Sequence, residues 1–342
     1  MVKNVIKKFI YKTLLMAVPF VLLLILYFVL DVFKVVYDYD VFYAEDEKPG
    51  VGLNAGYIST TTFEKQHTVY HYDSFIFGNS RSMYYEVSDW KGYLPDSSSC
   101  FHFDASSESL YALYKKILYI DKSGNSINNA LLVLDKSILE QDKSRDGHLF
   151  CIAPQLESSR NVFGFHCSFI KAFFNPKFLY ALVDYKLSGK VKKYMAESHL
   201  LSDECFRYDK KINESISIEF EQEIADSLFY NEEKMKVFED KSFPDSVSQP
   251  VIKEKQRKML EEINRIFRVY NTNYKIVISP LFEQIKLNPQ DMEILRKIFG
   301  EENVFDFSGT NEITVDYHNY YEDSHYRPHI ARHILKEIYT FR

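Results

Sequence analysis

From Leu14 to Leu30 every residue is apolar or aromatic, and no charge stands between Lys12 and Asp31. About 20 apolar residues in helical conformation cross a hydrocarbon layer of roughly 30 Å, so the pattern predicts a transmembrane helix over residues 13–31. Lys3, Lys7, Lys8 and Lys12 precede the run, whereas Asp31, Asp38, Asp40, Glu45, Asp46 and Glu47 follow it. By the positive-inside rule residues 1–12 form a cytoplasmic tail and the remainder lies across the membrane. A cleaved signal peptide has a shorter apolar region that ends in small residues. Tyr27-Phe28-Val29-Leu30-Asp31-Val32-Phe33 offers no such site, so the segment reads as an uncleaved anchor.

Residues 32–70 carry scattered Gly and Thr without periodicity and predict an extended juxtamembrane stretch. Beyond it, short apolar runs alternate with helical patterns. Ser74–Phe77 stops at Gly78, a second run lies at Cys100–Phe103, and Ala130–Leu134 is continuously apolar, as in a strand covered on both faces. Leu110, Leu113, Ile117 and Leu118 keep helical spacing between the second and third runs. Further on, 251–269 predicts a helix, Ile276–Ile278 a strand, Met292–Phe299 a helix, Val304–Phe307 a strand, and Pro328–Tyr339 a closing helix with proline in its first turn. This alternation predicts an α/β three-layer sandwich with a mainly parallel sheet, flavodoxin-like in class. The domain spans 71–342, interrupted at about 140–250 by an inserted, largely helical region.

Composition narrows the functional classes. Of 342 residues 46% are hydrophobic and 26% charged, the mix of a chain with a substantial core. The net charge is −6 and no basic stripe is present, which argues against nucleic acid as a partner. Cys100, Cys151, Cys167 and Cys205 contain no Cys-x-x-Cys pair, so no zinc site and no metal or other cofactor is expected. In an oxidising compartment Cys151 and Cys167 either pair across a loop or stay free thiols.

Ligands of parallel sheets bind at the carboxyl ends of the strands, and three segments fall there. In Phe77-Gly78-Asn79-Ser80-Arg81-Ser82 the glycine lets the backbone turn, and Ser80 becomes the exposed hydroxyl at the start of a helix whose amides can stabilise an oxyanion. In Tyr320–Pro328 a carboxylate and His325 stand two or three residues apart, the spacing for an imidazole base whose tautomer an acid fixes. In Phe103–Leu110 either the backbone lends a second oxyanion donor or Ser107 or Ser109 caps the next helix. Ser80 and His325 are 245 positions apart, so only the fold can join them.

Gly78-Asn79-Ser80, the loop after the second strand and Asp323-Ser324-His325 resemble the sequence blocks of the SGNH (GDSL-like) hydrolase family. The similarity is to its membrane-anchored branch, which works beside membrane-bound O-acyltransferases in alginate acetylation and lipoteichoic-acid D-alanylation. It covers 71–135 and 274–342, leaving 140–250 unmatched. The resemblance implies Ser80 as nucleophile, His325 as general base and Asp323 as the orienting acid, with Glu322 taking that place in relatives whose acid stands three before the histidine. It implies Gly78, Asn79 and Ser107 as oxyanion or substrate-binding residues. Ser107 stands where the family places glycine, and Leu134-Asp135 stands where a Gly-x-Asn-Asp block would be. It further implies a single-pass protein of a bacterial-type cell membrane that transfers or hydrolyses acyl groups on a cell-surface polysaccharide or glycopolymer, with a membrane-bound O-acyltransferase as a possible partner. Two other readings compete. One is a non-catalytic scaffold of the same fold that binds glycan or docks on such an acyltransferase. The other is a metal site built from His318, His325, His329 and Asp323, whose spacing fits no standard ligand pattern.

Overall fold

The computed structural model describes residues 2–43, 50–157, 159, 161–197, 200–201, 206–217, 219–239 and 241–340; Glu45, Asp46, Glu47 and Cys205 lie outside the described residues. The chain opens with α1 (Val2–Leu30), whose side chains are exposed along almost the whole run. Among the described residues this is the one helix long and apolar enough for a membrane span or a signal sequence, with a mean hydropathy of 2.7 over its most apolar 18 residues. Its end is fixed by the buried Asp31 carboxylate, which accepts from the amides of Val35, Val36 and Tyr37 and from the Tyr39 hydroxyl at 2.9–3.0 Å.

Residues 55–70 are not extended. They form α2 (Ala55–Tyr70), capped by the Asn54 side chain. Ser59 and Thr60 sit inside it because their hydroxyls bond back to the Gly56 carbonyl at 3.2 and 2.7 Å, and Ser59 also reaches the Asp104 carbonyl at 2.8 Å. These hydroxyls are buried without losing their partners, which is the condition for placing them there.

The α/β core follows in order: β1 (Ser74–Gly78), α3 (Val87–Lys91), β2 (Cys100–His102), α4 (Leu110–Lys122), β3 (Asn129–Leu134) and α5 (Lys136–Leu139). The insertion then carries α6 (Val162–Phe173), α7 (Pro176–Ser188), α8 (Lys193–Glu197), an antiparallel hairpin of β4 (Phe206–Asp209) and β5 (Glu214–Ser217), α9 (Glu219–Ala225) and α10 (Glu232–Met235). The core resumes with α11 (Glu254–Tyr270), β6 (Asn273–Ile278), α12 (Pro289–Phe299), β7 (Val304–Asp306) and α13 (Pro328–Thr340). The described part of the insertion carries these five helices and also holds a hairpin whose strands, four residues each, are too short to stand out in the sequence.

Five strands pair in the order β2-β1-β3-β6-β7, every pair parallel. Helices cover both faces. Phe75 and Phe77 of β1 join a buried cluster with residues of α4, α11 and α12, whereas Ile76 joins another with Trp90 of α3 and Ile330, Ile334 and Ile338 of α13. Ala130–Leu134 divides between the two clusters, which is why the run is apolar without alternation. Cys100, Cys151 and Cys167 are free thiols, buried, half-buried and exposed respectively.

Candidate active site

At the carboxyl end of β1 the backbone turns at Gly78, where an added Cβ would stand 2.8 Å from both the Val133 carbonyl oxygen and Ser82 Cβ. Only glycine permits that approach. Asn79 then caps a single 3-10 turn, Ser80–Tyr84, its Oδ1 accepting from the Arg81 amide at 3.1 Å. Ser80 opens this turn half-exposed, and its Oγ lies 2.6 Å from His325 Nε2. The helix that Ser80 opens is thus five residues of 3-10 helix.

The last loop brings the imidazole to that position. The Tyr321 amide donates to the His325 carbonyl at 2.9 Å, and Arg327 donates to the Asn319 carbonyl at 2.8 Å, so the chain doubles back ahead of α13. Within this bend Glu322 Oε1 hydrogen-bonds His325 Nδ1 and also accepts from the Ser324 hydroxyl at 2.9 Å. The carboxylate on the ring is that of Glu322, the residue three before the histidine; the Asp323 carboxylate stands 3.5 Å from Lys241 Nζ of the insertion. The difference is one of geometry: within the bend it is the residue at i−3 that the turn folds back over the ring.

Charge follows the same division. Burial pushes the Glu322 carboxyl up, but hydrogen bonds from His325, Asp323 and Ser324 and the imidazole's charge outweigh it and hold Glu322 well below the usual carboxylate range. Asp323 is pushed up to about 6, by burial first and then by the adjacent Glu322. With an ionised carboxylate on Nδ1, that nitrogen carries the proton and Nε2 faces Ser80 as an acceptor.

Arg81 joins the two halves. Its Nε donates to the Ser324 carbonyl at 2.9 Å and its Nη1 to Asp135 Oδ2 at 2.6 Å. Asp135 is buried at the end of β3, where it also accepts from Asn79 Nδ2 at 2.7 Å and from the Ser137 hydroxyl and the Ile138 amide. Burial raises this carboxyl, yet Arg81 and the three hydrogen-bond donors outweigh it, and its pKa is lowered.

Gly78, Asn79 and Ser107 were expected to face an oxyanion or substrate, but none of the three is among the described residues lining the cavity beside Ser80. Asn79 is buried with its side chain bonded to Asp135 and Arg81, so it holds the turn. Ser107 is exposed with φ +48°, the left-handed conformation that favours the glycine expected at this place. Its neighbours Asp104 and Ser106 reach the cavity instead, and burial pushes Asp104 up to about 6 against the pull of Lys116.

That cavity has a volume of about 780 Å3, within the usual range for small-ligand sites. Ser80, Glu322, Ser324 and His325 belong to its polar lining, together with Asp104, Ser106, Asn213, Ser215 and Lys234. Much of its wall comes from the insertion and from the segment before α2, including Leu53, Leu149, Phe150, Phe220 and Phe229. Sequence reasoning did not find these residues, since apolar side chains in an unmatched insertion carry no sign that they line a cavity rather than a core. Glu221 of α9 pins this wall to the last loop, accepting from Arg327 Nε and Nη2 at 2.8 and 2.7 Å and from the Tyr321 hydroxyl at 2.7 Å.

His318 pairs with Asp316 at 2.8 Å and His329 Nε2 lies 3.0 Å from Asn319 Oδ1, so these two histidines bond elsewhere than His325. Among the described residues no three His, Cys, Asp or Glu side chains gather as metal ligands would.

No family model, curated protein or solved structure matches the chain.

Proposed function

We propose that this chain is a membrane-anchored SGNH-type serine enzyme that moves acyl groups on a cell-surface glycan or glycopolymer, as transferase or esterase. The observation that carries the reading is the unbroken line from the Ser80 hydroxyl through His325 to Glu322 at the rim of an apolar cavity. Hydroxyl, imidazole and carboxylate in that order are what nucleophilic catalysis by serine requires. Supporting it are the position at the carboxyl edge of a parallel sheet and the glycine-dependent turn that presents the hydroxyl. The apolar α1, with lysines before it and acids after it, supports an anchor that holds the domain outside the cytoplasm, where such polymers lie.

In the reaction Ser80 Oγ attacks the acyl carbonyl while its proton passes to His325 Nε2. Negative charge then develops on the carbonyl oxygen. The Arg81 and Ser82 amides already donate to Asn79, so the Ser80 amide is the donor left at this turn to meet that charge. Collapse expels the donor alkoxide, which takes the proton from His325 and leaves an ester on Ser80. A sugar hydroxyl or water then attacks that ester, losing its proton to the same nitrogen, and collapse breaks the bond between the acyl carbon and Ser80 Oγ, which takes the proton back from His325. Glu322 holds the tautomer and stabilises the imidazolium throughout. The rings of Tyr84, Tyr321, Phe220 and Phe229 at the cavity suit packing on sugar or acyl groups.

Labelling of the full chain in detergent with a fluorescent fluorophosphonate tests the reading. The parent should label, and Ser80→Ala and His325→Ala should not. An unlabelled parent favours the non-catalytic scaffold, and labelling that persists in Ser80→Ala places the nucleophile elsewhere.

A further inference from the structure

Helices α6 and α7 each carry two apolar faces, and the described residues cover only one of them. The inner faces, Phe165, Phe169 and Phe173 with Phe178, Ala181 and Leu182, are buried together with Tyr27 and Phe33. On the outer faces Phe163 is 82% exposed and Leu187 84%, with Tyr180, Val183 and Val162 also exposed. Tyr180, Val183 and Leu187 stand at i, i+3 and i+7, a single stripe along α7, and Phe163 lies one turn from the exposed Cys167 on α6. A helix pair facing water carries polar residues along such stripes; here the exposed lysines stand toward the helix ends and apolar side chains fill the stretch between them.

We infer that the outer face of the α6–α7 hairpin docks on the surface of the same membrane that α1 enters. The inference rests on reading α1 as a span. Tyr27 of α1 is buried in the hairpin, its ring 5.6 Å from that of Phe173 and its hydroxyl 3.4 Å from His166 Nδ1. It stands three residues before the apolar run ends at Leu30, less than one helical turn of about 5.4 Å. The hairpin is therefore held at the depth where hydrocarbon gives way to headgroups, the level at which amphipathic helices and interfacial tyrosines settle. The Tyr27–Phe173 contact joins the hairpin directly to the end of α1. Exposed Lys171, Lys177, Lys186 and Lys190 at the ends of the two helices suit anionic headgroups. Continuity with the span and this basic fringe favour lipid over a protein partner.

Docking also bears on the candidate site. A second cavity of about 350 Å3 lies between Leu30 at the end of α1 and Leu182 and Tyr185 of α7, and it shares Tyr43, Val51 and Leu53 with the cavity beside Ser80. A hairpin fixed on the bilayer holds that shared wall near the lipid surface.

The test uses the full chain in liposomes of phosphatidylcholine and phosphatidylglycerol. Cys151, Cys167 and Cys205 are changed to Ser, and single cysteines carrying an environment-sensitive fluorophore are placed by Phe163→Cys, Val183→Cys and Leu187→Cys. Leu22→Cys in α1 reports the span, and Val269→Cys on α11 reports a site that is exposed in the chain. Thermal unfolding in detergent verifies that each labelled chain is folded. The three hairpin labels should emit to the blue and be quenched several-fold more by spin-labelled lipid than the Val269→Cys label, less so when phosphatidylglycerol is omitted. Hairpin quenching no greater than at Val269→Cys, with Leu22→Cys still quenched, overturns docking and leaves the span. Loss of quenching at Leu22→Cys as well overturns both. A blue shift that grows with protein density and resists lipid quenching overturns docking in favour of contact between copies.

Discussion

Arg81 and Asp135 form a buried ion pair, Nη1 to Oδ2 at 2.6 Å, between the turn that carries Ser80 and the end of β3. From the same guanidinium Nε reaches the carbonyl of Ser324, the residue before His325. Two segments far apart in the chain are thus held by one planar group, whose fork can bond in two directions at once. A buried pair of this kind adds little to stability relative to an apolar pair, but it is costly to break from one side.

Arg81→Ala leaves the buried Asp135 carboxylate without its cation, held only by the hydrogen bonds from Asn79, Ser137 and Ile138, and should destabilise the fold by about 3 kcal/mol. Chemical unfolding in detergent measures this, and a loss under about 1 kcal/mol, the range of an exposed pair, counts against the assignment. Arg81→Lys keeps the charge but not the fork. It should fold, yet label with fluorophosphonate more slowly than the parent because the Ser324 tether is gone.

Glu322→Gln should slow fluorophosphonate labelling by about 10^2–10^4, since an amide no longer holds the imidazole proton on Nδ1. Asp323→Asn should cost less than about tenfold, because it acts only through Glu322 and Lys241. Below about pH 6 Asp323 carries a proton, so the asparagine reproduces a state the parent already visits. Rates that fall more in Asp323→Asn than in Glu322→Gln would falsify the pairing seen here.

That comparison also marks how far the sequence could be read. Ser80 and His325 are legible because a strand, a glycine and a loop before a proline-started helix leave strong local patterns. The choice between Glu322 and Asp323 is not, since both stand within reach of the ring along the chain and only the backbone bend at Tyr321–His325 selects one. Helix α2 is hidden for another reason. Ser59, Thr60, Thr61 and Thr62 are poor helix formers that give no apolar stripe, and tertiary burial overrides their propensity. The five core strands appear where their apolar runs predict them, because burial on both faces demands such runs in β1, β2, β3 and the second half of β6, and β7 keeps a short one at the sheet edge. The β4–β5 hairpin and the cavity wall leave no comparable mark.

Glu214 offers a test by pH. Its Oε2 accepts from the Val87 amide at 2.5 Å in a buried setting, and burial pushes the carboxyl from 4.5 up to about 7, with Glu86 and Asp209 adding to the rise. The folded state therefore holds a proton that the unfolded chain releases between those values. Stability from this group is full below pH 4.5 and is lost as pH rises through about 7. The loss is on the order of 3 kcal/mol at most. Glu214→Gln keeps an acceptor for Val87 and removes the titration. The variant should gain on the parent between pH 5 and pH 8 in thermal unfolding curves; parallel curves across that range count against the burial of this carboxyl.

The clamp between Glu221 and Arg327 separates positioning from stability. Glu221 is 41% exposed and Arg327 17%, so the pair belongs near the surface, where ion pairs contribute less than about 1 kcal/mol. Yet Glu221 also receives the Tyr321 hydroxyl and lies beside Phe220, so its loss frees one wall of the cavity from the loop that bears His325. Glu221→Ala should unfold within about 1 kcal/mol of the parent. With a series of p-nitrophenyl esters as probes, it should raise KM and narrow the discrimination between short and long acyl chains, leaving kcat nearly unchanged, because the Ser80–His325–Glu322 line does not pass through it. Adding Arg327→Ala should change KM little further, as the two residues act as one contact. If Glu221→Ala instead lowers kcat with KM intact, the insertion shapes the reacting groups themselves and not only the wall around the substrate.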